Sequence, residues 1–315
     1  MTKEPLDIVC LGEPMVEFTR IEDPEGRLIF LQGFGGDTSN CAIAAARQGA
    51  RVGYVTALGT DRFGDMYMDL WRAEGIDTSG VARDPTAPTA AYFIEPVAEG
   101  RDYTYYRKGS AASRMTPDSL PKKTIARARY LQTSAINQAI SQSAREATAR
   151  ACKLAHEVGA KVAYDTNLRL NLWSLEQARA VIHETAGQAD ILLPSLDEAR
   201  ILTALNTPEE IIAFYLALGP EVLALKCGEA GAMVAAGGRI EQIPPLTVIA
   251  ADTSGAGDTF DGSLLARLAA GDDPFDATRY AVAAAGLSTT GYGAVTPIPD
   301  AKAVRAAMTE ATAAS

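Results

Sequence analysis

Histidine is nearly missing from this 315-residue chain: only His156 and His183 occur, both in helical contexts near polar residues. A histidine-built zinc centre or a Ser-His-Asp triad is therefore not expected, because each needs imidazoles as ligands or as a base. Both histidines read as solvated positions on helix faces. Cysteine is also sparse. Cys10, Cys41, Cys152 and Cys227 stand singly among apolar or small residues, with no C-x-x-C pair, so buried reduced thiols are expected. Positive charge is in deficit, with 29 Lys and Arg against 39 Asp and Glu and a net charge of −10. That excludes the basic stripe by which a nucleic-acid surface displaces counterions, and any anionic ligand must be held by local cations or by backbone. No apolar run reaches the ~18 residues of a membrane span, and Met1-Thr2-Lys3-Glu4-Pro5 lacks a signal-peptide hydrophobic region. A soluble, cytoplasmic protein with no membrane or nucleic-acid partner is expected. The absence of any Gly-Lys dipeptide excludes a Walker A loop. No G-x-G-x-x-G follows the first apolar run, which disfavours a Rossmann dehydrogenase.

What is present is length and a regular alternation. Apolar residues make up 47 % of the chain, enough for one large α/β domain with a small appendage. Strand-length runs at Leu6 to Leu11, Val52 to Thr56, Tyr130 to Thr133, Lys161 to Asp165, Ile191 to Pro194 and Val222 to Lys226 alternate with amphipathic segments. Gly49 and Gly159 stand where helices must stop. This order predicts an α/β fold with a doubly wound, mainly parallel sheet. Two stretches break it: Met15 to Gln32, with the turn Asp23-Pro24-Glu25-Gly26, and Thr89 to Lys108, with the turn Glu99-Gly100-Arg101-Asp102. Each reads as strand, turn, strand. Their four strands are expected in a small separate sheet, giving a main domain of residues 1–12, 33–88 and 109–315 and a β-sheet lid of residues 13–32 and 89–108. Such a sheet needs a ligand or a partner over its apolar surface, so a homo-oligomer, a dimer through the lid or higher, is expected. A third hairpin, Ala232 to Ala236 and Arg239 to Ile243 across Gly237-Gly238, is expected to be structural.

Two glycine-rich runs open helices. In Asp252-Thr253-Ser254-Gly255-Ala256-Gly257-Asp258-Thr259-Phe260, glycines one residue apart let backbone N–H groups converge on an anion at a helix start. Asp258, in the same turn, stands where a base for a substrate hydroxyl belongs. The alternative is an ordinary helix cap with Asp258 complementing the dipole. In Gly33-Phe34-Gly35-Gly36-Asp37-Thr38-Ser39-Asn40, the glycines allow close ligand approach and Asn40 suits adjacent hydroxyls, as in a sugar. Asp37, Thr38 or Ser39 as N-cap is the plainer alternative. Gly59 to Asp65 reads as turn chemistry.

Further candidates lie at strand ends. Period-two alternation puts Tyr103, Tyr105 and Arg107 on one face, where Arg107 suits a carboxylate or is simply an edge-strand charge. Arg169, after Asp165, is a second clamp, while Asp165 is either direct or a buried turn carboxylate. Ser195 and Glu198 fit a capping box, or Glu198 reaches Mg²⁺ through water. Lys226 and Gly228 either meet a nucleotide or form a strand-end turn.

With Gly35-Gly36 to Asn40, the helix ending Arg47-Gln48-Gly49, the Gly59 to Asp65 loop and Asp252 to Asp258 in this order, the sequence resembles the ribokinase or PfkB family of carbohydrate kinases over nearly its whole length. Gly12-Glu13-Pro14, the run Tyr105 to Ser113, Asp165 to Arg169 and Leu172-Trp173 look like 2-keto-3-deoxygluconate kinases, with fructokinase the nearest rival. The resemblance implies a ribokinase-like fold with a β-sheet lid, and transfer from ATP with Mg²⁺ to the terminal (6-) hydroxyl of a small sugar acid, with a monovalent cation left open. Asp258 would be the base and the amides of Gly255, Ala256 and Gly257 the anion hole. Gly35, Gly36, Asn40, Tyr92, Tyr105, Arg107 and Arg169 would contact the sugar acid. Ser195, Lys226, Gly228, Glu229, Thr253, Ser254, Gly255 and Gly257 would line the nucleotide, Ser288 would touch adenine, and Glu198 would serve the metal through water. Asp258 needs no elevated pKa in this scheme and is expected near its ordinary ~3.9. A non-catalytic sugar or nucleotide sensor is the rival from another class. The sequence departs from the family where Asn-x-x-Glu appears as Ser195-Leu196-Asp197-Glu198, and where a C-terminal carboxylate of some relatives is replaced around Gly293-Ala294.

Overall fold

Alternation along the first strand already sorts the core into two layers. In the computed structural model, which describes residues 4–97 and 100–314, Ile8 and Cys10 pack into one buried cluster with Tyr54, Trp71, Leu264 and Leu265. Val9 and Leu11 enter the other, with Leu131, Val162, Tyr164 and Ile182. Successive side chains of a strand point to opposite faces, so a strand that is apolar on both sides belongs inside a sheet covered twice. Met1 to Lys3 of the N-terminal segment and Glu99 of the second turn lie outside the described residues.

The main sheet has nine strands, in the order Arg239–Ile243, Ala232–Ala236, Val222–Lys226, Ile191–Leu192, Lys161–Asp165, Ala128–Ser134, Leu6–Leu11, Val52–Gly59 and Asp77–Asp84. All pairs are parallel except those of the hairpin at the first edge. Asp77–Asp84 is absent from the sequence reading because it is a polar edge strand, mostly half-exposed, that carries no apolar alternation.

A second sheet of four strands runs Leu28–Gly35, Met15–Glu22, Ala90–Val97 and Gly100–Tyr106. Two antiparallel hairpins join through a parallel pairing of Met15 with Ala90. It is tied to the main sheet through Gly12-Glu13-Pro14, the short link after Leu6–Leu11. Among the described residues, no helix is long and apolar enough to cross a membrane.

One helix contact sets the site. Helix Ala256–Ala270 packs on helix Asp37–Arg47 through Gly262, where a Cβ would lie 2.2 Å from the Cys41 carbonyl oxygen and 2.8 Å from Ala44 Cβ. Gly262→Ala is expected to lower stability by about 2 kcal/mol, because overpacking against backbone outweighs the ~1 kcal/mol that alanine gains within a helix. A urea midpoint equal to or above that of the parent protein would overturn this.

Candidate active site

The carboxyl ends of the parallel strands and the start of helix Ala256–Ala270 enclose a cavity of about 750 Å³, lined by Asp165, Arg169, Ser195, Glu198, Lys226, Thr253, Ser254, Gly255, Gly257 and Asp258. Open α/β sheets place ligands at this edge, and the volume suits a small-molecule substrate. Gly255 caps the helix at φ 72°. A Cβ there would be strained, and would sit 2.8 Å from the Ala294 carbonyl oxygen. Asp252 holds the loop, accepting from Ser254 N–H (3.1 Å), Ser254 O–H (2.8 Å) and Gly293 N–H (3.1 Å). The helical ladder is joined at Thr259, whose N–H donates to the Gly255 carbonyl (2.8 Å), so the amides before it belong to the orphan donors of a helix start. That of Ala256 turns back on the Thr253 carbonyl at 3.3 Å.

Asp258 sits in this first turn and accepts from Asn40 Nδ2 at 2.8 Å, while Asn40 Oδ1 is buried without a partner. The pair exists because Gly262 lets the two helices touch. Asp258 departs from expectation in one respect: its carboxyl is not near its ordinary value but pushed up to about 7. Desolvation is the first cause, followed by the Asp37 carboxylate; Asp165 adds to the rise, while Asn40 and Lys226 oppose it. A sequence does not show how many carboxylates the fold gathers around one.

Asp37, Thr38 and Ser39 do not cap their helix; Gly36 does, at φ 98°. Thr38 pairs with the Tyr54 hydroxyl at 2.7 Å and Ser39 Oγ accepts from Trp71 Nε1 at 3.0 Å. Asp37 accepts from the Ser134 hydroxyl and from Asn167 Nδ2 (3.2 Å). Burial raises its pKa, with the Asp165 carboxylate adding to the rise. A Cβ on Gly36 would lie 2.6 Å from the Glu13 carbonyl oxygen, and one on Gly35 would lie 2.3 Å from the Tyr92 hydroxyl.

Both arginines carry partners. Arg107 donates from Nε to Glu13 Oε2 (2.8 Å) and brings Nη2 to 2.6 Å of the same oxygen, with side-chain exposures of 10 % and 0 %. Ser110 donates to the other Glu13 oxygen. Arg169 Nη1 donates to Glu198 Oε1 at 3.0 Å, and Glu198 Oε2 has no partner. The expected capping box at Ser195 is therefore not made, because the Glu198 carboxylate turns to Arg169 and Ser195 caps without its side chain. Burial, then the Asp165 carboxylate, raise Glu198. Tyr103, Tyr105 and Arg107 do share a face: the two rings stack at 6.2 Å, and the guanidinium lies 5.8 Å over Tyr105. Tyr92 stacks on Tyr105 at 5.7 Å and gives its hydroxyl to Glu17.

Several candidates are not part of the cavity wall. Ser288, expected at adenine, is 1 % exposed and donates to the Ala285 carbonyl of its own helix. Gly228 and Glu229 lie on an exposed turn beyond Lys226. Gly35, Gly36, Asn40, Tyr92, Tyr105, Arg107 and Ala256 stand behind or beside the lining. Three residues near the site were not among the candidates for ligand contact: Asp37, Glu13 and Asp261; Tyr103, read from its strand face, does line the cavity. Glu13 and Asp261 carried a usable signal, as carboxylates inside otherwise small or apolar runs. The histidine expectation also needs correcting for His183, whose ring packs against Phe214 at 5.1 Å and Tyr215 at 5.9 Å.

Residues 6–301 match the pfkB family of carbohydrate kinases. The chain is 35 % identical over 296 residues to a 2-dehydro-3-deoxygluconokinase of Thermoproteus tenax, covering 90 % of each protein. It is 33 % identical over 311 residues to fructokinase-1 of Zea mays, covering 93 % of this chain and 94 % of the relative. A crystal structure of fructokinase with bound ATP from Xylella fastidiosa superposes with a TM-score of 0.89 at 26 % identity, over 97 % of this chain and 99 % of that one. Two signature glycine loops, a nine-stranded sheet with a separate four-stranded one, and a match along nearly the whole chain agree: the protein belongs to the pfkB family of carbohydrate kinases and has the ribokinase-like α/β fold.

Proposed function

We propose that this kinase phosphorylates the terminal (6-) hydroxyl of a sugar acid of the 2-keto-3-deoxygluconate class, with Asp258 as base. The observation that carries the proposal is the Asn40–Asp258 hydrogen bond of 2.8 Å inside the first turn of an amide-rich helix start. It supports reading Asp258 as the proton acceptor, in the same turn as the amides that would form the anion hole. ATP, bound with Mg²⁺, supplies the phosphoryl group. The residues present suit both: Gly255 and Gly257 leave backbone donors open to phosphate, Thr253, Ser254 and Ser195 line the same wall, and Glu198 Oε2, buried without a partner, would hold a metal through water. Phosphoryl transfer needs mainly positioning and charge stabilisation, which a helix start fixed at both ends supplies.

Arg169 is the cation we assign to the acid's carboxylate. It lines the cavity with 44 % of its side chain exposed, and Arg107 and Tyr105 back it from the small sheet. We assign that sheet, residues 13–32 and 89–108, as a lid over the acceptor, since Tyr103 brings it to the cavity wall. Closure there would keep water from competing as nucleophile. Its exposed Leu28 (61 %), Ile29 (40 %), Phe30 (48 %) and Leu31 (58 %) suit a dimer through the same sheet. Leu28→Asp with Leu31→Asp should then shift the protein to a monomer in light scattering, and an unchanged mass would reject it.

A fructokinase is the second reading, favoured by one observation: Glu13 and Glu198 already neutralise Arg107 and Arg169, so a neutral sugar leaves neither guanidinium unpaired. A coupled assay over keto-deoxy acids, fructose, ribose and adenosine decides; phosphorylation of fructose far above the acids would replace the first reading. In that assay kcat/KM for the acceptor should fall as pH drops through about 7, because the base must be ionised and Asp258 holds its proton up to about 7. A rate flat down to about pH 5 would count against Asp258.

A further inference from the structure

The resemblance implied that Lys226 lines the nucleotide, yet its ammonium is already held by two carboxylates. Nζ lies 3.1 Å from Asp165 Oδ1, 3.1 Å from Asp261 Oδ1 and 3.3 Å from Asp261 Oδ2. A phosphate would have to compete for this ammonium with two buried carboxylates that already hold it. The three side chains are only 11 %, 5 % and 1 % exposed, in the order Lys226, Asp165, Asp261. The lysine passes directly beneath the helix start: a Cβ on Gly257 would stand 3.7 Å from Nζ. Asp261 lies one turn after Asp258, on the same side of the helix.

We propose that Lys226 is a positioning residue for Asp258, acting through a buried Asp165–Lys226–Asp261 bridge rather than on the nucleotide. The bridge joins the ends of strands Lys161–Asp165 and Val222–Lys226 to helix Ala256–Ala270, so it fixes where the first turn stands over the sheet. It also places a cation among carboxylates. Asp258 is faced by Asp37, Asn40 and Cys41 from helix Asp37–Arg47, by Asp165 and Lys226 from the strand ends, and by Asp261 from its own helix. Arg169 and Glu198 stand beyond Asp165 as an ion pair. Burial favours the uncharged amine, but Asp165 and Asp261 outweigh it and hold Lys226 charged. Burial raises the Asp261 carboxyl well above its ordinary value and Lys226 opposes that rise, so the lysine is what keeps negative charge at Asp261. Removing the lysine charge leaves Asp258 among carboxylates and strengthens its hold on a proton; removing the Asp261 carboxylate does the opposite.

The proposal rests on Asp258 being the base, and the test separates the two. The acidic limb of kcat/KM for 2-keto-3-deoxygluconate, or for fructose if the sugar panel selects it, is compared between variants at one saturating ATP concentration. Lys226→Met should move the limb up by about one pH unit and Asp261→Asn should move it down by a similar amount, with KM for ATP near that of the parent. Limbs coinciding with the parent, or a raised KM for ATP with an unmoved limb, would overturn the proposal. If Lys226→Met does not fold, the Asp261→Asn limb decides alone. Asp258→Asn in the same series tests the base itself: retained turnover removes that assignment, whereas lost turnover with unmoved Lys226 and Asp261 limbs removes only the bridge.

Discussion

Asp258→Asn is expected to lower turnover at least ~100-fold, the scale of removing a positioned base, while leaving KM for the acceptor and for ATP little changed. The amide oxygen still accepts from Asn40 Nδ2, so the hydrogen bond that orients the site (2.8 Å) survives the exchange while the proton acceptor does not. Near-normal turnover would remove Asp258 from the mechanism. The same variant should be more stable than the parent at neutral and higher pH. The folded protein holds the Asp258 proton up to about 7, against ~3.9 in an unfolded chain. Between those values the folded state binds more proton than the unfolded one, so the stability contributed by this group falls as pH rises and is lowest above about 7. A neutral amide removes that cost, as expected where a charge is kept for function. Thermal unfolding at about pH 8 checks it; a lowered midpoint would show that the ionised carboxylate is compensated in the fold.

The second large effect is expected at Arg107. Arg107→Ala should raise KM for the sugar acid about tenfold or more, the worth of a hydrogen bond to a charged group, and leave KM for ATP nearly unchanged. It should also cost about 3 kcal/mol of stability, since Glu13, whose side chain is 0 % exposed, is left as a buried unpaired charge. Pairing it with Glu13→Gln separates the roles. The double variant should regain most of the stability in urea unfolding and none of the lost affinity for the acid. Equal rises in both KM values would move Arg107 out of the acceptor site. If the acid's KM returned with the stability, Arg107 would be a structural partner of Glu13 alone.

Much of the scaffold was legible because it depends on local periodicity. Leu6–Leu11 and Lys161–Asp165 are apolar runs of strand length, and the first small-sheet hairpin is marked by its turn residues, whereas Gly100, Arg101 and Asp102, read as the second turn, belong to the strand Gly100–Tyr106. The helix start after Asp252 was legible for a similar reason: only glycine readily adopts φ 72° at Gly255. Asp77–Asp84 was not, since an edge strand half in water needs no pattern.

What the sequence by itself determined is the order of most elements, the position of Asp258 in the first turn of a glycine-capped helix and that of Asn40 in the first turn of another, because each depends on residues within one turn or strand. Partnership was decided only by the tertiary structure. Glu13 meets Arg107 across 94 positions, Asn40 meets Asp258 across 218, and Lys226 settles between Asp165 and Asp261 at separations of 61 and 35. A charge's proton affinity and its freedom to bind a ligand depend on neighbours and burial within a few ångströms. Those neighbours come from different strands and helices, so two arginines and a lysine that were candidate ligand contacts in the chain are paired side chains in the fold.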